Sequence, residues 1–242
     1  MILPDPLRVC DAIDATWPAA GTQRLGSWLI RRGAGGGNRV SAARAVAPVT
    51  PADVPQAEAA MRDLGQAPLF MLRPGDDAVD AVLADAGYVV QDATRIYAAP
   101  VAALTTPHPP PVTAFTVWPP LAVQASLWAA GGVGPARLDV MARATGPATT
   151  ILGRLDDQPA GTLFVSLDGD IAMLHALEVA PRFRRRGLAQ HLTRAAAIWA
   201  ERQGARSFTL LTTVANTGAN RLYQGLGMEV IGRYHYRAKP KE

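Results

Sequence analysis

Residues 182–189 read Arg-Phe-Arg-Arg-Arg-Gly-Leu-Ala, so three consecutive guanidinium groups, Arg184, Arg185 and Arg186, stand directly before Gly187. Arginine offers a planar fork of N–H donors that matches phosphate oxygens. A glycine followed by a helical pattern leaves the first-turn N–H groups free, beside the positive end of the helix dipole. The chemistry is that of a pyrophosphate cradle. Groups able to move protons lie close by: His175 and Glu178 upstream, Tyr223 downstream. A neutral imidazole with an ordinary pKa of ~6.5 can take an ammonium proton near neutral pH.

The elements that must position these groups follow from periodicity. The apolar stretch 171–179 predicts a strand running into the basic turn. Alternation puts Met173, His175, Leu177 and Val179 on one face, and Leu174, Ala176 and Glu178 on the other, unless a bulge reverses the facing. A helix opening at Gly187 carries Leu188, Leu192, Ala195, Ala196 and Trp199 on one stripe and closes near Gly204. Helices are expected at 121–128 and 135–144, around the glycines at 131, 132 and 134. Strands are expected at 149–155, 161–167, 208–214 and 228–236. Between the last two, Asn216 suits a helix N-cap, Ala219, Leu222 and Tyr223 share a side, and Gly227 suits a left-handed stop.

The glycine pattern is neither G-x-x-x-x-G-K-[ST] nor G-x-G-x-x-G. It is Arg184-x-x-Gly187-x-Ala189, preceded by Val179-Ala180-Pro181, and it resembles the acyl-CoA loop of the GCN5-related N-acetyltransferase (GNAT) superfamily. Further on, Asn216-x-x-Ala219-x-x-Leu222-Tyr223-x-x-x-Gly227-Met228 resembles that family's second signature. The resemblance spans roughly residues 113–238. It implies an α/β (α+β) GNAT fold, with a mixed, mostly antiparallel sheet, a central parallel splay and flanking helices. The implied cosubstrate is acetyl-CoA, and the implied reaction is direct acetyl transfer to a primary amine.

Site roles follow from the same resemblance. The backbone of Leu177, Glu178 and Val179 pairs with the pantetheine arm and polarises the thioester carbonyl. Arg184, Arg185, Arg186, Gly187, Leu188 and Ala189 hold the pyrophosphate, Asn216 meets the pantetheine or the strand edge, and Ala219 belongs to the same cofactor-binding set. Tyr223 is the acid for the leaving thiolate. The segment His175-Ala176-Leu177 is similar to a strand of arylalkylamine N-acetyltransferases, which carry a catalytic histidine at the matching position. Their second histidine, two residues earlier, is Met173 here, which interrupts a paired-histidine relay. Glu178 is the competing base.

The 242 residues divide at a proline-rich stretch: an N-terminal α/β domain at 1–104, a linker at 105–112 and the acetyltransferase domain at 113–242. In the first part, strands are expected at 27–32 and 39–43, around a glycine run at 33–37. That run is read as a hairpin loop, with a backbone clamp for a ligand as the alternative. Helices at 52–64 and 76–86 and strands at 68–72 and 89–98 follow. The ending Leu83-x-x-x-Gly87-Tyr88 echoes Leu222-x-x-x-x-Gly227-Met228, so this half looks like the degenerate first copy of tandem acetyltransferases, without a cofactor loop of its own. The acceptor pocket is expected from the helices around 121–144, the strand near His175 and the N-terminal half.

Composition trims the remaining classes. A 49% hydrophobic content supports a core, and 18% charged residues argue against a disordered chain. No membrane span or signal-peptide pattern is found, and one cysteine, Cys10, permits no internal disulfide, so a cytoplasmic enzyme is expected. The histidines show no metal-ligand spacing, and no metal is expected. The surplus of +4 is concentrated at residues 182–186, which already have an anionic partner in CoA, so no nucleic-acid partner is expected. Two other functions stay open: a protein N-terminal or lysine acetyltransferase, and a non-catalytic acyl-CoA-binding module.

Overall fold

Asp5 and Pro6 begin the first helix as their residue types demand. Asp5 caps it, its carboxylate accepting from the Leu7 N–H at 2.8 Å, and Pro6 occupies the first turn, where no N–H is needed. This helix, α1 (Pro6–Thr16), was not anticipated from periodicity. A computed structural model describes residues 3–240. After α1 come β1 (Gly21–Leu25), β2 (Trp28–Arg32), α2 (Asn38–Ser41), β3 (Arg44–Ala45), α3 (Val54–Asp63), β4 (Leu69–Leu72), α4 (Asp77–Asp85) and β5 (Val89–Pro100). The chain continues with β6 (Ala114–Val117), α5 (Ala122–Ala130), α6 (Pro135–Ala142), β7 (Ala148–Leu155), β8 (Gln158–Asp168) and β9 (Ile171–Val179). It closes with α7 (Leu188–Arg202), β10 (Ser207–Thr213), α8 (Thr217–Gly225) and β11 (Glu229–Ala238). Among the described residues, no helix is long and apolar enough to cross a membrane.

Among the described residues, the principal sheet has eight strands in the order β4-β11-β5-β10-β9-β8-β7-β6, and only β9 and β10 run parallel. Their pairing is short, Ser207–Leu210 against Ile171–Leu174. Past Leu174 and Leu210 the two strands share no ladder, and the sheet splays open. The parallel splay expected at the centre of the sheet is present.

Strand β5 lies between β10 and β11. The proline-rich stretch therefore does not separate two sheets: strands from both sides of it interleave. The small antiparallel sheet β1-β2-β3 joins the edge strand β4 through a bridge between Ala43 and Phe70.

One face of the large sheet is covered by α7, whose buried positions Leu188, Leu192, Ala196 and Ala200 recur every fourth residue. Their partners include Leu163, Val165, Phe208 and Leu210. Each buried leucine contributes about 1.5–3 kcal/mol, and the alanines let the helix sit close. On the opposite face, α1 packs Val9 and Ile13 near Ile171, Met173 and Tyr234. A third cluster, with Trp28, Met61, Phe70, Leu83 and Tyr88, belongs to the N-terminal half.

Two local expectations are corrected. Residues 39–43 are not a strand; α2 occupies Asn38–Ser41. The glycine run is consequently not a hairpin loop but the link from β2 to α2, and the hairpin lies one step earlier, between β1 and β2. The segment Arg-Val-Ser-Ala-Ala has one large apolar residue, Val40, so a single buried contact satisfies it in either conformation. The close approach of Gly36 to α6 explains the glycines: a Cβ there would lie 2.6 Å from Val140 and 2.8 Å from Val40.

Candidate active site

Strand β9 carries the first functional groups, and a bulge decides how they face. Phe164 pairs with His175 and Thr162 with Glu178, so Leu163 alone opposes Ala176 and Leu177. Ala176 adopts φ +50°, a left-handed conformation costing about 1 kcal/mol for an alanine. Trp128 of α5, fully buried, donates its indole N–H to the Ala176 carbonyl at 2.7 Å and holds the bulge. Gln124, one turn earlier, is tied to Thr150 and Thr162 at 2.9 and 3.0 Å and fixes α5 on the sheet. The alternation expected along this strand therefore fails after His175. Glu178 falls on the His175 face, and Leu177 and Val179 pack with the α7 cluster.

Past the bulge, β9 has lost β10 as a neighbour, and a cleft of about 820 Å³ opens between them. It is walled by Leu177, Glu178 and Val179 on one side and by Asn216, Ala219 and Tyr223 on the other. Arg184, Arg185, Gly187, Leu188 and Ala189 line its mouth, and His175 lies at its inner end. Of the expected site residues only Arg186 is turned away: it makes a two-pronged ion pair with Asp156, at 2.6 and 2.9 Å.

The turn into α7 is a nest of donors. Arg185 at φ +64° and Gly187 at φ +83° alternate with ordinary backbone, and among the described residues the N–H groups of Arg185 through Ala189 have no acceptor. Five consecutive free donors and Arg185, which has no ion-pair partner among the described residues, fit a pyrophosphate. Arg184 is partly engaged, donating to the Val179 carbonyl at 2.9 Å and to Glu178 at 3.0 Å.

Helix α8 is placed from two directions. The Asn216 side chain accepts from the Ala219 N–H at 3.0 Å, the expected N-cap, and Gly227 takes φ +78° just past its end. Asn220 is clamped by Arg95 and Tyr97 of β5, both at 2.9 Å. This orients Tyr223, which packs against Tyr97 at 5.8 Å between centroids and lines the cleft. Burial pushes the Tyr223 phenol well above its ordinary value, so it carries its proton at neutral pH.

His175 stands differently from the base expected of it. Its side chain is buried, stacked on Trp17 with centroids 4.9 Å apart. Arg39 Nη1 lies 3.0 Å from Nδ1, and since arginine only donates, Nδ1 is the acceptor and the proton resides on Nε2. Nε2–H donates to Thr16 Oγ1 at 3.0 Å, and that hydroxyl donates to the Ala12 carbonyl at 2.7 Å. Burial first, and the Arg39 charge second, hold the imidazole pKa well below 6.5. Both nitrogens are occupied, so the free lone pair that a base requires is absent. Thr16, Trp17 and Arg39 were missed in the sequence: they reach the site from the N-terminal half, and only the glycines before Arg39 signalled a close approach.

A second cavity of about 440 Å³ adjoins the first and shares Arg39, Ala176, Leu211, Thr212 and Asn216 with it. Its remaining walls come from Trp17, residues 36–38, β5, the α5–α6 region and β11. The expected contributors to an acceptor pocket, including the N-terminal half, meet here.

Comparison with known proteins agrees with this architecture. Residues 119–228 match the acetyltransferase (GNAT) family. No curated protein sequence matches the chain significantly. Among solved structures, a GCN5-related N-acetyltransferase from Kribbella flavida superposes with TM-score 0.64 at 19% identity, over 98% of this chain and 96% of that one. A conserved protein of unknown function from Staphylococcus epidermidis gives TM-score 0.71 at 11% identity, over 95% and 97%. A tandem GNAT protein from the clavulanic acid biosynthesis pathway gives 0.60 at 16%, over 83% and 76%. At these identities the likeness is one of fold.

Proposed function

We propose that this chain acetylates a small-molecule primary amine by direct transfer from acetyl-CoA, a reading supported by the match of residues 119–228 to the acetyltransferase (GNAT) family. The observation that carries the reading is the run of five free N–H groups at the mouth of the cleft. Acetyl-CoA supplies the activated acyl group. The nest and Arg185 hold its pyrophosphate, with Arg184 alongside. The edge of β9 from Leu177 to Val179 pairs with the pantetheine arm and polarises the carbonyl. Tyr223 gives its phenolic proton to the departing sulfur. Glu178, the carboxylate on the cleft wall, takes the amine proton, directly or through water. His175 acts one step back, by orienting Arg39.

Direct transfer is supported by the state of Cys10, the one cysteine. It is buried in α1, and burial, only partly offset by Arg73, raises its thiol to about 12, which leaves no thiolate to carry an acyl group. A small acceptor is supported by the size of the second cavity, which suits a small molecule better than a segment of a folded protein. The test is a calorimetric titration with acetyl-CoA, followed by thiol release with small amines and with lysine or N-terminal peptides. Micromolar or tighter binding and turnover of small amines support the reading. Turnover of peptides alone moves the acceptor to proteins, and absence of acetyl-CoA binding removes the cradle.

A further inference from the structure

The charges of the second cavity describe its ligand. Arg39 donates to a neutral imidazole nitrogen, meets no carboxylate within ion-pair distance, and buries its Nε without an acceptor, among the described residues. Arg137 of α6 likewise makes no ion pair or side-chain hydrogen bond there, and its guanidinium lies over Gly37, where a Cβ would sit 3.2 Å from Nη2. One carboxylate faces the same space, Asp92, which already accepts from Asn38 at 3.1 Å and from Gln91 at 3.3 Å. Two guanidinium groups against one amide-bound carboxylate leave the cavity positive. A partly desolvated guanidinium without an anion is unfavourable, and two forks converging on one cavity match an oxyanion.

We propose, resting on the acetyltransferase reading above, that the acceptor is an amine that also bears an oxyanion, a carboxylate or a phosphate, bound by Arg39 and Arg137. The amine end then lies at the neck shared by the two cavities, beside Ala176 and Thr212. There the Arg39 charge disfavours an ammonium and eases loss of its proton before attack. A second cationic group on the acceptor would be repelled, which separates this class from polyamines.

The test uses thiol release from acetyl-CoA with matched acceptors. Each amino acid is paired with its amide and its decarboxylated amine, and each aminoalkyl phosphate with its amino alcohol. The anionic member of a pair is expected to have a kcat/KM at least about tenfold higher. Arg137→Gln should raise KM about tenfold for the anionic member and less than about twofold for the neutral one, with acetyl-CoA affinity unchanged. The carboxylate and phosphate arms identify which oxyanion is read. Equal use of both members, an equal effect of Arg137→Gln on them, or bound acetyl-CoA with no anionic amine acetylated overturns the proposal and leaves the acetyltransferase reading standing. Failure to bind acetyl-CoA removes both.

Discussion

The two cavities that meet at Arg39 and Thr212 are built by opposite means. The proposed cofactor cleft is local: a strand, a turn and a helix between residues 171 and 202, completed by α8, with free backbone donors at its mouth. The neighbouring cavity is assembled from side chains at positions 17, 39, 92, 137 and 236, drawn together by the whole sheet. Backbone recognition needs a conformation and tolerates many side chains. Side-chain recognition needs particular residues brought together over long sequence distances.

Substitutions should separate the two. The largest effect is expected from Gly187→Asp, which forces a side chain onto φ +83° and puts a negative charge in the nest. Acetyl-CoA affinity should fall more than about 100-fold by calorimetry, and retained affinity would place the phosphates elsewhere. Tyr223→Phe should lower kcat on the order of 100-fold with little change in acetyl-CoA affinity. A loss of affinity equal to the loss of rate would instead make Tyr223 a packing residue.

His175→Gln probes the junction. The acceptor KM should rise several-fold, because Arg39 loses the fixed nitrogen that orients it, and the pH dependence of the rate should persist. The same variant should alter stability. Folded His175 stays neutral well below 6.5, whereas the unfolded chain gains a proton near ~6.5. The stability of the parent protein should therefore be full above that pH and fall below it, with a slope from this group that approaches about 1.4 kcal/mol per pH unit. Denaturant titrations at pH 7 and 5.5 should show a shallower decline in the variant; an identical decline would mean the imidazole titrates normally in the fold. Least affected is Arg186→Ala, which breaks an exposed pair with Asp156 and should change acetyl-CoA affinity less than about threefold.

Much of the structure around the cleft was legible in the sequence because its information is local. Gly187 before an amphipathic run, and Asn216 three residues before Ala219, each specify a turn or a cap irrespective of the rest of the chain. The strand at 171–179 was placed to the residue, yet the facing of Glu178 was not, because the bulge at Ala176 depends on Trp128 from another element. The tie between Arg39 and His175 was invisible for the same reason, spanning 136 positions with no periodic signal. The helix at Asn38–Ser41 was lost because four residues carry too little pattern to choose between helix and strand.

The insertion of β5 between β10 and β11 has a consequence for how the protein is made. During synthesis Val89–Pro100 leaves the ribosome before either of its neighbours exists, and it must wait with both edges unsatisfied until Ser207–Thr213 and then Glu229–Ala238 emerge. The sheet closes only when the last strand arrives. The two halves are thus a single folding unit, and one expressed without the other would present an open slot or an orphan strand to any chain nearby.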